Sequence, residues 1–292
     1  MKLLTLNTHS LHGSDWEQKL EWFVEGILKE RPDIIALQEV NQTITAQTAE
    51  NVLKEGQTVV SELVQVKQDN FAAQAAHRLR KMGMDCFWAW LPVKVGYEKY
   101  DEGAAILSIG RKIRKTAVFP ISKTWEYQDW RTRAVLGVQV EGCTDWFYTV
   151  HMGWWQDKEE PFSEQWEKLM AQIKNPSAET TVWLMGDFNA PDIFSDQSYA
   201  YICKGGWQDT HITAKERGRD FTAAGGIDGW KDKLPDKEVK GLRLDYIWCK
   251  PEQEILSSDT VFNGERGHII SDHFGVIVET KERGRRKEQQ GY

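Results

Sequence analysis

Thr181-Val182-Trp183-Leu184-Met185-Gly186-Asp187-Phe188-Asn189 is an apolar run of strand length that leads through Gly186 into two polar residues. In an extended chain alternate residues face the same side. Asp187 and Asn189 are therefore expected to share one site, with Phe188 anchored opposite. A carboxylate beside a neutral amide can orient a water and a phosphoryl oxygen together. The competing reading is an Asx-rich turn with no chemistry.

The same form, a strand with polar residues at its end, recurs along the chain. Residues 3–7 read as a buried strand ending at Asn7, and 33–39 as another ending at Glu39. Between them Ser14 and Glu17 have capping-box spacing, and Trp16, Leu20, Phe23, Val24, Ile27 and Leu28 recur with helical period up to Pro32. Ser271-Asp272-His273-Phe274 stands at the mouth of the strand 275–278. Asp245 falls within the alternating strand Leu242–Trp248, where an unpaired carboxylate would be costly, so a histidine partner is expected. Further strands are expected near 86–93, 103–109, 134–140, 145–151, 180–186, 244–249 and 274–279, with helices near 70–82 and 161–174, the latter opened by Pro161. Residues 41–69 and the glycine-rich 217–243 read as long loops. No Pro/Gly/Ser-rich linker or repeat divides the chain. We expect one domain over 1–280 and a charged, frayed tail over 281–292.

Composition narrows the function. The 292 residues carry 37 Lys+Arg against 44 Asp+Glu, a net charge of −7, which disfavours a polyanion such as DNA as the general partner. Cys86, Cys143, Cys203 and Cys249 are too scattered for a structural zinc site. The N-terminus is too polar for a signal segment, and no run approaches a membrane span of roughly 20 apolar residues. A cytoplasmic protein without membrane contact is expected, and no protein partner can be inferred. The 14 tryptophans include Trp125, Trp130, Trp154 and Trp155 at positions outside core periodicity, where flat rings suit contacts with a sugar, base or lipid.

Taken together, Leu-Asn at Asn7, Leu-Gln-Glu at Glu39, Gly-Asp-Phe-Asn at 186–189, Asp-Tyr-Ile at 245–247 and Ser-Asp-His-Phe at 271–274 resemble the endonuclease/exonuclease/phosphatase, or DNase-I-like, superfamily over residues 3–279. The resemblance implies an α+β fold, a four-layer αββα sandwich of two packed mixed β-sheets flanked by helices. It also implies phosphoester hydrolysis with a divalent cation, Mg²⁺ or alternatively Mn²⁺, held by Glu39 with Asn7 and Asp272 as further ligands or supporting groups. Asp187 would activate the water, Asn189 would hold a phosphoryl oxygen, and the Asp245–His273 pair would stabilise the phosphate. His151 corresponds to the superfamily's second histidine, with Glu102 as its expected partner. Both histidines would then stay protonated near neutral pH. Arg131 and Arg133 are candidate phosphate clamps, the alternative being solvated strand ends. His9 is expected to line the cleft, while His12, His77, His211 and His268 read as surface or loop residues.

Substrate choice rests on the periphery. Residues 41–66 contain Lys54 as their one basic residue beside Glu50, Glu55 and Glu62, a poor match for a nucleic-acid backbone. Trp154 and Trp155 follow His151 directly and suit a sugar's apolar face, unless they are plugs between loop and sheet. The sequence MKLLTLNTHS and this loop resemble, more weakly, bacterial disaccharide-phosphate phosphatases of the maltose 6'-phosphate type. The expected substrate is a small phosphorylated sugar. A DNA endonuclease or exonuclease is the alternative, and a sphingomyelinase-like or inositol-phosphate phosphoesterase a further one.

Overall fold

A computed structural model describes residues 1–154, 156–173, 179–193, 198–224 and 241–281. Its strands are β1 (Lys2–Asn7), β2 (Ile34–Thr43), β3 (Cys86–Gly96), β4 (Tyr100–Ile109), β5 (Ile113–Pro120), β6 (Ala134–Val140), β7 (Trp146–His151), β8 (Val182–Asp187), β9 (Gln208–Asp209), β10 (Glu216–Arg217), β11 (Ala223–Ala224), β12 (Gly241–Leu242), β13 (Asp245–Lys250), β14 (Ile255–Val261) and β15 (Gly275–Thr280). Its helices are α1 (Trp16–Glu30), α2 (Phe71–Lys81), α3 (Phe162–Gln172) and α4 (Ser198–Lys204).

Seven strands form one mixed sheet in the order β10-β14-β15-β1-β2-β4-β3, and six form another, β5-β6-β7-β8-β13-β9. The sheets pack face to face. Leu3, Ile34, Ala36 and Ile106 of the first meet Leu136, Phe147, Trp183, Met185 and Ile247 of the second. Their alternate neighbours point outward: Leu4, Leu6, Ile35 and Leu37 lie under Leu20, Phe23 and Ile27 of α1 and Leu79 of α2. On the opposite side Tyr148, Val150, Leu184 and Trp248 lie under Phe162, Trp166 and Leu169 of α3. Three apolar layers thus separate four layers of structure, as expected of an αββα sandwich. Strands covered on both faces read as unbroken apolar runs for this reason.

Several local expectations differ from the structure. α1 starts at Trp16 with Asp15 at its N-cap and no side-chain cap, so the Ser14–Glu17 box does not form. Strand β2 continues to Thr43, and the segment behind it carries a one-turn 3-10 helix, Asn51–Lys54, with Ala49 and Val66 buried. β5, β14 and α4 were not anticipated. Their patterns are weak because β5 is an edge strand with three consecutive exposed positions and α4 has seven residues. All but the first residue of the expected tail, and 225–240 of the second loop, lie outside the described residues.

Candidate active site

Register places the polar strand ends in one row. His151 of β7 is the parallel partner of Asp187, and Asp245 of β13 is its antiparallel partner on the other side. Gly186 is required here, because a Cβ on it would lie 1.8 Å from the carbonyl oxygen of Val150. In the facing sheet Asn7 pairs with Gln38, and Ser271 Oγ donates to the Asn7 carbonyl, which brings Asp272 and His273 to the same edge.

Glu39 arrives by a different route. Leu37 pairs with Ala105 and Val40 with Gly103, so Gln38 and Glu39 stand opposite Ala104 alone. This bulge puts Glu39 at φ +50° and re-aims its carboxylate toward the opposite sheet. Thr8 and Ser10 hold the bulge, their hydroxyls donating to the Glu39 carbonyl at 2.9 and 2.8 Å. His9 and Asn189 also have left-handed backbone, at φ +41° and +47°. Backbone strain of this kind concentrates at functional sites.

The side chains converge on Asp187. Asn7 Nδ2 donates to Glu39 Oε1 at 2.9 Å and to Asp187 Oδ2 at 3.1 Å. The Nε2 atoms of His151 and His273 each lie 3.8 Å from Asp187 Oδ2. His273 Nδ1 is bonded to Asp245 Oδ2 at 2.8 Å, the histidine partner expected for that carboxylate. Asn189 donates its backbone N–H to Asp187 Oδ1 at 2.8 Å and its side-chain amide to the Met152 carbonyl at 3.0 Å. The Asx turn and the shared site are therefore both present, with Phe188 buried opposite.

Charge is distributed unequally. Burial raises the Asp187 carboxyl to about 7, against the pull of His273. Glu39 is raised by burial and by the negative charge of Glu102. Burial also acts on His273, but Asp245 and Asp187 outweigh it and hold the imidazole well above its usual value. Asp272 is desolvated too, yet its bond to His9 and the charge of His273 keep its carboxyl well below the usual range. His9 Nδ1 lies 3.2 Å from Asp272 Oδ1.

His151 departs from expectation. Its ring is depressed well below its usual value, first by burial and then by Arg133 and Lys94, so it is neutral rather than protonated. Glu102 is not its partner. Glu102 is the cross-strand neighbour of Lys94, whose Nζ lies 3.2 Å from Glu102 Oε1. A lone lysine inside the apolar run 86–95 was the available signal for this pair.

The two arginines separate. Arg133 is buried, and its Nη1 donates to the carbonyls of Trp130 and Thr132. Burial lowers its pKa against the opposing charges of Glu102, Glu39 and Asp187. Arg131 turns outward to Glu159 at 2.9 Å and Asp157 at 3.7 Å. Trp154 is half-buried, and Trp155 lies outside the described residues. His211 is buried rather than superficial, bonded to Ser258 and Asp220 beside a small cavity that Asp245 also lines.

Asp187, Asp245 and His273 form a buried group with metal-ligand spacing. Within it, His273 Nδ1 is already committed to Asp245 Oδ2. Glu39 and Asp272 present hard carboxylate oxygens, while Asn7 turns its amide nitrogen to Glu39 and its oxygen to the His9 N–H. The half-buried Glu39 carboxylate is bridged to Asp187 through Asn7 Nδ2 and feels the negative charge of Glu102, an oxygen-donor set and charge excess that fit a divalent cation.

Among the described residues no helix is long and apolar enough to cross a membrane. No curated protein matches the sequence. Among solved structures, an endonuclease/exonuclease/phosphatase family protein from Leptotrichia buccalis is 26% identical with a TM-score of 0.81, the match covering 97% of this chain and 100% of that one. A Bacteroides thetaiotaomicron mannosyl-6-phosphatase is 16% identical with a TM-score of 0.66, covering 97% and 100%. The human Nocturnin catalytic domain is 15% identical with a TM-score of 0.59, covering 96% and 93%. The profile of the Endonuclease/Exonuclease/phosphatase family matches residues 4–273, from β1 to the histidine of the Asp245–His273 pair, and the chain belongs to that family of phosphoester hydrolases.

Proposed function

We propose that the protein is a divalent-cation-dependent phosphomonoesterase acting on a small phosphorylated sugar. The observation that carries the hydrolytic reading is the convergence on Asp187 Oδ2 of Asn7 and of two histidine Nε2 atoms, one of them in a protonated pair. Asp187, whose pKa is about 7, takes a proton from the attacking water. His273, its Nδ1 fixed by Asp245, directs Nε2–H at charge developing on the phosphoryl oxygens. Asn189 and neutral His151 supply further hydrogen bonds to those oxygens, and Arg133 adds positive charge.

Glu39 and Asp272 would hold Mg²⁺ or Mn²⁺, with Asn7 orienting Glu39 and Asp187 together. The bound cation neutralises charge on the phosphoryl group and lowers the pKa of coordinated water. A small neutral leaving group is supported by the net charge of −7 and by the acidic 41–66 segment. The mannosyl-6-phosphatase that shares the fold supports a phosphorylated sugar as an accommodated substrate. The test is phosphate release from a panel of sugar phosphates, nucleotides and DNA, with Mg²⁺ and with EDTA. Sugar phosphates should be cleaved fastest, with weak salt dependence. DNA cleavage with steep salt dependence would replace this reading with a nuclease.

A further inference from the structure

Trp130 is 57% exposed, yet its backbone is fixed from below. Lys94 Nζ and Arg133 Nη1 donate to the same Trp130 carbonyl oxygen at 2.9 and 2.8 Å. Lys94 Nζ lies 3.2 Å from Glu102 Oε1, and Glu102 is the cross-strand partner of Asn41, two residues beyond Glu39, so the anchor lies beside the catalytic row. The loop around Trp130 is also pinned within itself. Thr132 Oγ1 donates to the Glu126 carbonyl, Arg131 N–H to Asp129 Oδ1, and Val95 N–H to the Tyr127 carbonyl.

This loop is clasped to the one that follows His151. Glu160 accepts the backbone N–H groups of Lys123 and Thr124, and Arg131 reaches across to Glu159 and Asp157. The Arg131 guanidinium lies 4.7 Å above the Trp130 ring, covering one face. The exposed ring contributes little to the core, while the backbone that carries it is held firmly. The indole is built as a platform, because a rigid ring loses little entropy when a ligand stacks on it. The Arg131 charge beside the ring is engaged by Asp157 and Glu159 rather than left for a phosphodiester chain.

We propose that Trp130 is the specificity-determining residue of the site, stacking the sugar ring of the leaving group, with Lys94 and Arg133 as its positioning residues. This inference rests on the sugar-phosphate reading above. It moves the aromatic contact from the loop after His151 to the clasped loop facing it.

The experiment compares Trp130→Ala and Trp130→Phe with the unaltered enzyme on a hexose phosphate and on glycerol phosphate, which has no ring. Inhibition by the free hexose and the melting temperature are measured alongside. Trp130→Ala should raise KM for the hexose phosphate and Ki for the hexose about tenfold, with Trp130→Phe recovering most of the loss. Its kcat, its kinetics on glycerol phosphate and its melting temperature should stay within about twofold or a few degrees of the unaltered enzyme. Equal losses on both substrates, or none on the hexose phosphate, would overturn the platform while leaving the phosphatase reading intact. An unaltered enzyme that cleaves no sugar phosphate but does cleave DNA would overturn both.

Discussion

His273 and Asp245 are joined Nδ1 to Oδ2 at 2.8 Å, between a loop of one sheet and the first residue of a strand in the other. The pair leaves Nε2 of a protonated imidazole facing Asp187. Asp245→Asn should lower kcat by roughly 10²–10⁴-fold, as for loss of an acid–base or charge-stabilising group. Breaking a buried pair from one side should also cost about 3–5 kcal/mol in denaturant unfolding. Near-native kcat in this variant would remove His273 from the mechanism.

Asp187 gives the reaction its acid limb. With its pKa at about 7 the carboxylate is only partly ionised at neutral pH, so kcat/KM should rise with pH through this region. A cation held by Glu39 favours the ionised form, and the limb should move to lower pH as Mg²⁺ is raised. A pH profile indifferent to Mg²⁺ concentration would separate Asp187 from the cation.

The same shift has a consequence for stability. The folded pKa of Asp187 lies above the unfolded value, so its stability contribution is full below pH 4 and is lost as pH rises through about 7. Asp187→Asn, neutral throughout, should be inactive but more stable than the parent at pH 8 by roughly 1–4 kcal/mol, with the gain vanishing near pH 4. Melting temperatures across this range provide the check.

Glu39 combines a charge role with a strained backbone. Both Glu39→Ala and Glu39→Gly should abolish Mg²⁺-dependent turnover and the calorimetric signal of Mg²⁺ binding. Glycine relaxes the left-handed conformation, so Glu39→Gly should be more stable than Glu39→Ala by about 1 kcal/mol. Equal stabilities would mean the bulge carries no strain.

Lys94 and Glu102 form a buried pair at 3.2 Å. Removing either charge alone should destabilise by about 3–5 kcal/mol, whereas Lys94→Met combined with Glu102→Gln should recover much of that loss. A strictly additive double-mutant cycle would show that the pair is not coupled.

The sequence by itself determined the strand ends. Asn7, Glu39, His151, Asp187, Asn189, Asp245, Asp272 and His273 stand out because each lies at or beside the end of an apolar run, and alternation puts Asp187 and Asn189 on one side. The four-layer architecture followed from the motifs, and its helices α1, α2 and α3 from their periodicity. Beyond the Asp245–His273 pair, tertiary structure decided who partners whom. Glu102 belongs to Lys94 rather than to His151 because β3 and β4 pair in a register that a linear pattern does not contain. His151 is held below its usual pKa by burial and then by the charges of Arg133 and Lys94, and Glu39 reaches Asn7 through a bulge defined by its neighbour β4. Local sequence encodes period and polarity, whereas charge state and partner depend on Coulomb interactions over a few ångströms between residues far apart in the chain.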